Sequence, residues 1–217
     1  MMQLAQVWRY PVKSMAGERL VQTALMPLGI EGDRVIHLED AHGQVITSRS
    51  HPRLLTHQAT LGHAGEVLID GTPWDAPSLH LLAEEIAGPG ARFVRDESEN
   101  RFDILPLLVA TDGAITAFGH DGRRLRPNLI IGGVDGMAER TWEGKQLRIG
   151  EAVIQIHDLR GRCVMTTYDP DTQARGVPAQ NMDILRDIVK KFGGKLALNC
   201  SVLRGGAIRE GDAAQLL

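Results

Sequence analysis

The chain has 217 residues, 43% hydrophobic and 24% charged, with a formal net charge of −3. That length supports a core of ordinary density, and the negative balance argues against general nucleic-acid binding. No run of about 18 apolar residues exists to span a membrane, and the opening MMQLAQVWRY lacks the basic-then-apolar order of a secretory signal, so a cytoplasmic protein with no membrane partner is expected.

In chain order, LAQVWRYPVK (4–13) and RLVQTALM (19–26) read as strands, with Pro11 implying an edge position or a bulge. RVIHLED and QVITSR flank the turn residues of DAHG as a hairpin, and HQATL and EVLIDG form a second one around GHAG. The period changes in PSLHLLAEEIAG (77–88). Leu79, Leu82, Ala83 and Ile86 make a helical stripe, with Ser78 as the expected cap and Gly88 as the stop. LLVAT (107–111) is a strand leading into the helix TDGAITAF, where Thr111 is the expected N-cap. PNLIIGG and EAVIQIHDL are further strands. NMDILRDIVKKF (181–192) is the clearest helix: Asn181 caps it, Ile184, Leu185 and Ile188 line one face, and Lys190 and Lys191 suit its C-terminal dipole before Gly193. LALNCSVL and DAAQLL close the chain as strands. Many short strands and few short helices, without regular β–α–β alternation, define a mainly β, barrel-like protein. A boundary in the AGPGAR region divides it into residues 1–87 and 88–217.

Two cysteines, Cys163 and Cys200, make no disulfide framework, and no Cys or Cys/His spacing marks zinc or an iron–sulfur cluster. His42, His51, His57 and His63 sit near turn signals and read as exposed loop residues. Cys200 lies inside an apolar strand and reads as a small core residue. Cys163, in GRCVMTTYDPDT (161–172), stands at a strand end directly after Arg162. A cation beside a cysteine favours the thiolate, which ligates a soft metal or acts as a nucleophile; the bland alternative is another buried apolar residue. No nucleophilic triad, Walker loop or GxGxxG accompanies it.

Nineteen of the 24 basic residues are arginine. Its planar fork grips phosphate or carboxylate in two places, although GC-rich coding alone would give the same bias. Polar residues interrupt the apolar strands at their ends: Lys13 and Ser14 in YPVKS, Arg34 in GDR, Thr47 and Arg49 in ITSRS, and Arg126 and Asn128 in LRPNLII. Singly these are solvated residues; together they make a cationic pocket for an anionic ligand such as a phosphate-bearing cofactor.

VWRYPVKS, GDRVIHLED, ITSR with PRLL, LRPNLII and GRCVMTTYDPDT follow one another in this order over almost the whole chain. They resemble the MOSC family, named for the C-terminal domain of molybdenum-cofactor sulfurase. The branch is the one with an N-terminal MOSC β-barrel domain, which includes the mitochondrial amidoxime-reducing component and its bacterial relatives. The resemblance implies a pterin dithiolene molybdenum cofactor carrying a phosphate, and no pyridoxal phosphate. Cys163 falls on the family's molybdenum ligand and is the expected catalytic and metal-binding residue. The cofactor-contacting positions fall on Lys13, Ser14, Arg34, Thr47, Arg49, Thr111, Arg126, Asn128, Gly161 and Arg162. Arginine and lysine would pair with phosphate, and Asn128 would read the pterin edge. The implied reaction is the two-electron reduction of a small N-hydroxylated substrate to the amine or amidine and water.

The chain departs from the family pattern in ways that shape these expectations. It ends at DAAQLL without a ferredoxin-like domain, so electrons would come from a separate ferredoxin-, cytochrome- or flavoprotein-type donor. No N-terminal anchor like that of the mitochondrial members is expected. Gln173 stands where the family has glycine after DPDT, and the compact loop before Arg101 would leave the metal more open. A protein that carries or delivers the cofactor without turnover, and a sulfur carrier with a persulfide on Cys163, are the competing readings.

Overall fold

The computed structural model describes residues 1–172 and 176–217, so Gln173 lies outside the described residues. In chain order the strands and helices are β1 (Gln3–Arg9), β2 (Glu18–Leu20), β3 (Gln22–Met26), β4 (Gly29–Ile30), β5 (Ile36–Glu39), β6 (Val45–Ile46), β7 (Ala59–Leu61), β8 (Val67–Ile69), β9 (Thr72–Pro73) and α1 (Pro77–Ala87). There follow β10 (Arg92–Arg95), β11 (Leu107–Thr111), α2 (Asp112–Phe118), β12 (Leu129–Gly132), β13 (Gln146–Ile149), β14 (Ala152–Gly161), α3 (Asp183–Phe192), β15 (Lys195–Arg204), β16 (Gly206–Arg209) and β17 (Ala214–Leu216).

Eight strands form the main sheet in the order β17-β13-β14-β15-β11-β12-β1-β2. All its pairings are antiparallel except β11 with β12, which α2 joins as one β–α–β crossover. The sheet curls until the residues before β17 meet β1. A bridge between Gln3 and Ala213 and the bonds Leu4 N to Asp212 O (2.8 Å) and Gly211 N to Leu4 O (2.8 Å) tie the ends together. The fold is therefore mainly β and barrel-like as expected, with no closed barrel among the described residues: an isolated bridge and two backbone bonds join the residues before β17 to β1.

Hydrophobic alternation builds the core inside this curl: Leu4 and Val7 of β1, Ile154 and Ile156 of β14, and Leu198 and Cys200 of β15 are buried together with Leu25 and Ile30. A second core joins the sheets β10-β5-β6 and β7-β8-β9 to α1 through Ile36, Leu38, Val67, Ile69, Leu79, Ala83 and Ile86. A third sets Phe118 of α2 and Ile184 and Ile188 of α3 against Leu196 and Ala197 of β15. Among the described residues no helix is long and apolar enough to cross a membrane.

Both expected hairpins form, β5 with β6 and β7 with β8. Asp40 pins the first turn by accepting from the backbone of His42 (2.8 Å) and Gln44 (2.9 Å). Some local expectations fail for physical reasons. Ser78 does not cap α1, whose N-cap is Ala76, with Pro77 pre-set at the first helical position and no side-chain cap bond. Pro11 lies beyond β1, which ends at Arg9, so it needs neither an edge nor a bulge. RLVQTALM splits at Val21 into β2 and β3, and the short GAIR segment forms β16 against β3.

Gly17 follows the first strand and packs against it. A Cβ there would fall 2.2 Å from Arg9 O and 2.5 Å from Tyr10 Cδ1, so Gly17→Ala should cost about 2 kcal/mol. Denaturant unfolding measures this, and an unchanged midpoint would show that β1 yields freely.

Candidate functional site

One end of the main sheet and the loops of the N-terminal hairpins enclose a cavity of about 390 Å³. Its size is that of a small-molecule or cofactor site. Ten of the eleven residues singled out in the sequence line it: Lys13, Ser14, Arg34, Thr47, Arg49, Arg126, Asn128, Gly161, Arg162 and Cys163. They come from the loops after β1 and β6, the loops before β5 and β12, and the end of β14 and the residues after it. Thr111 is placed elsewhere. It is fully buried and caps α2, accepting from Ala114 N (3.0 Å) and bonding Glu139 Oε2 (3.2 Å). Its N-cap reading holds, and a cavity contact does not follow.

The backbone around the cavity is unusual. Ser14 (φ 73°), Arg34 (φ 57°) and Arg126 (φ 54°) are three of the five non-glycine residues with positive φ among the described residues, and all three line the cavity. Such conformations cost free energy and persist where the surroundings over-determine them, as at ligand sites. Around Gly161 the wall is open: a Cβ there would meet no protein atom within 4 Å.

Asp103, from a segment with no motif, is the cavity's internal anion. Its carboxylate meets Lys13 Nζ at 2.9 Å, Arg49 Nη2 at 2.7 Å and Arg160 Nη2 at 3.4 Å. Burial alone would raise its pKa, but the hydrogen bond and charge of Lys13, with Arg49 and Arg160, pull it down to about 2. The folded pKa therefore lies below the unfolded value of about 3.9, so the stabilisation is present above that value and is lost as pH falls toward 2. We expect wild type to lose up to about 2 kcal/mol over that window, and Asp103→Asn to show a shallower acid slope by urea unfolding. Equal slopes would remove Asp103 from the ion-pair cluster.

The loop before β12 and the end of β14 supply two further guanidinium groups. Burial pushes both Arg126 and Arg162 down to about 10, so each remains charged near neutrality. Arg162 donates through Nη2 to Leu125 O (2.8 Å), but its Nε is buried with no partner among the described residues. Arg126 has no side-chain hydrogen bond or ion pair among the described residues; it lies over the Tyr10 ring, 4.3 Å from the centroid. Buried donors and charges are paired as a rule, so the unpartnered Nε of Arg162 and the half-buried, unpaired Arg126 in one cavity suit an anion.

Asn128 behaves differently from expectation. Its amide nitrogen donates to Trp8 O (3.3 Å) and Asp33 Oδ2 (3.1 Å), and its oxygen accepts from Leu108 N (3.2 Å) and Arg34 Nη1 (3.3 Å). Both donors are used internally, so the amide braces Arg34 and β12 rather than offering an edge to a ligand. Asp33, fully buried behind the wall, also holds Arg34 in an ion pair and accepts from Tyr10 N (2.7 Å).

Cys163 is half-buried and opens the 3-10 turn Val164–Thr167. Arg49 lines the cavity beside it: burial opposes the Arg49 charge, but the nearby Cys163 and Asp103 outweigh this and raise its pKa. Ser48 Oγ donates to Met165 Sδ (2.7 Å), tying the Arg49 loop to the turn after Cys163. Cys200 is fully buried in β15, and burial pushes its thiol up, as expected of a core residue. His57 corrects the loop-histidine reading: it pairs with Asp70 through Nδ1 at 2.6 Å, and its Nε2 is buried.

Asp103, Arg160, Met165 and Asn199 line the cavity without having been singled out. Arg160 was detectable, since Arg160 and Arg162 alternate about Gly161 and so share one face of the strand end. Asp103 and Asn199 sit in apolar runs that carry no local signal.

The structure is a mainly β protein with a cavity in which several arginines converge with one half-buried cysteine, residue types suited to an anionic group and a soft metal. Residues 1–101 match the MOSC N-terminal beta barrel domain and residues 114–215 match the MOSC domain; the chain belongs to the MOSC family. It is similar to human mitochondrial amidoxime-reducing component 1, with 23% identity over 280 residues, covering 99% of this chain and 82% of that protein. Human mitochondrial amidoxime reducing component 2 is 23% identical over 227 residues, covering 78% of this chain and 67% of the relative. The YuaD protein from Bacillus subtilis shares the fold, with a TM-score of 0.54 at 12% identity over 100% of this chain and 96% of the other.

Proposed function

We propose that the cavity holds the molybdenum cofactor and that the loaded protein reduces small N-hydroxylated compounds with electrons from a separate donor protein. The observation that carries this reading is the presence, in one cavity, of two guanidinium groups lacking an anion and a half-buried thiol. Arg126 and Arg162 fit a phosphate ester, which accepts forked charge-assisted bonds. The Cys163 sulfur is a soft donor suited to molybdenum. Lys13, Arg34 and Arg49 add positive field along the wall, and the space beside Gly161 leaves room for the ligand.

Molybdenum, when bound, supplies a two-electron change of oxidation state. The protein's share is to hold and orient. Arg49 lines the same cavity as Cys163 and is anchored by Asp103. Asp103, Lys13 and Arg160 keep that wall polar and charged, while Phe102, Ile104 and Leu105 present an apolar wall for a substrate body. In balance, an N-hydroxy group takes up two electrons and two protons to leave an N–H group and water. The relatives named for amidoxime reduction support this substrate class.

The test is reduction of benzamidoxime to benzamidine by cofactor-loaded protein with chemically reduced viologen as donor. Turnover that scales with molybdenum content is the expected result. Loaded protein without turnover would favour a carrier, and metal-free protein with sulfane sulfur on Cys163 would favour a sulfur carrier.

A further inference from the structure

We propose that Tyr10 is a positioning residue whose ring holds the guanidinium groups of Arg34 and Arg126 toward the cavity, so that anion binding depends on a phenol-sized aromatic ring at this place. The inference rests on the reading of the cavity as an anion site.

Tyr10 is 3% exposed and does not line the cavity itself. Its ring has Arg126 Cζ 4.3 Å from its centroid and Arg34 Cζ at 5.3 Å. The ring is fixed at both ends. Its hydroxyl donates to the carbonyl of Pro127 (3.2 Å), between Arg126 and Asn128, and its backbone N–H donates to Asp33 (2.7 Å). Its own carbonyl accepts from Arg34 N (2.8 Å). Burial pushes the phenol up to about 12, so the hydroxyl stays a donor at working pH.

The need for such a wall is visible behind it. A second cavity of about 330 Å³ lies on the far side, lined by Tyr10, Tyr168, Glu18 and Asp171 and sharing Arg126 and Met165 with the first. Arg126 thus stands between two spaces, and the rear one is a mixed polar space in which Glu18 and Asp171 are paired with Arg9 and Arg123. The ring face attracts the guanidinium by its quadrupole without neutralising it, and its bulk keeps the side chain from turning to the rear. A carboxylate in this place would hold Arg126 as firmly but would cancel the charge that the ligand needs. Gly17 has no room for a Cβ beside Tyr10 Cδ1, so the ring is also pressed from outside.

The experiment compares wild type, Tyr10→Phe and Tyr10→Leu by two readouts. In NMR of isotope-labelled arginine, a guanidinium stacked on a ring is shifted upfield by the ring current. Titration with inorganic phosphate then reads the anion site. Wild type and Tyr10→Phe should both show shifted Arg126 and Arg34 side-chain signals and equal phosphate affinity. Tyr10→Leu should lose the shifts and bind phosphate about tenfold more weakly. Unshifted signals in wild type would overturn the positioning role whatever the phosphate result. Phosphate affinity retained in Tyr10→Leu, or lost equally in Tyr10→Phe, would also overturn it. Shifted signals with no phosphate binding by wild type would instead overturn the anion site, and with it the role of the ring in ligand binding.

Discussion

Cys163→Ser is expected to abolish reduction of N-hydroxylated compounds, by more than about a thousandfold, while leaving the fold intact. Serine keeps the size of the side chain but replaces an easily ionised, electron-rich thiol with a hydroxyl that stays protonated near neutrality, so the covalent sulfur donor to the metal would be lost. The structural cost is small because Cys163 is half-buried in a loop after β14 and sits outside the three hydrophobic cores. Its loss should change stability by less than about 1 kcal/mol. Activity assays beside thermal unfolding separate the two effects. Global unfolding of the variant would make Cys163 a structural residue, and retained activity would remove it from the metal.

Arg126→Ala should weaken retention of the cofactor by about ten- to a hundredfold, the size of one or two lost charge-assisted bonds. The same change should alter stability by less than about 1 kcal/mol, since the half-buried guanidinium has no hydrogen bond among the described residues to orphan. This combination, a large loss of ligand with little loss of fold, is what distinguishes a binding arginine from a structural one. Arg101 provides the contrast. It is 7% exposed and donates to the carbonyls of Asp33 (3.1 Å), Ser98 (3.0 Å) and Leu28 (3.2 Å), so Arg101→Ala should destabilise the chain instead. Molybdenum content after gel filtration, with denaturant unfolding alongside, checks both variants; unchanged content in Arg126→Ala would place Arg126 outside the site.

The site was legible where its residues interrupt apolar runs at strand ends. YPVKS, ITSRS, LRPN and GRC each place polar groups just beyond a strand, and loops at strand ends are where a barrel-like sheet gathers its ligands. What the sequence hid was the difference between a wall and its bracing. Asn128 lines the cavity, yet its amide is committed to Trp8, Asp33, Leu108 and Arg34, partners far apart in the chain. Asp103 is an acid within a cationic site, and nothing in RFDILP announces three cations around it. Thr111 carries two signals, a helix cap and a family position, and in the structure the cap is the one expressed. In the fold, hairpins and amphipathic helices followed from local pattern. The main sheet's single parallel pair, β11 with β12, is set by how α2 packs across it, and the return of the chain to β1 before β17 joins Gln3 to Ala213 across almost the whole chain; no local period encodes either.

The most direct test of the account is the molybdenum and pterin-phosphate content of protein produced in a cofactor-competent host, by elemental and organic mass spectrometry. The account predicts near-equimolar molybdenum and a pterin bearing one phosphate. Protein that is free of both, with Cys163 carrying sulfane sulfur or unmodified, would contradict it.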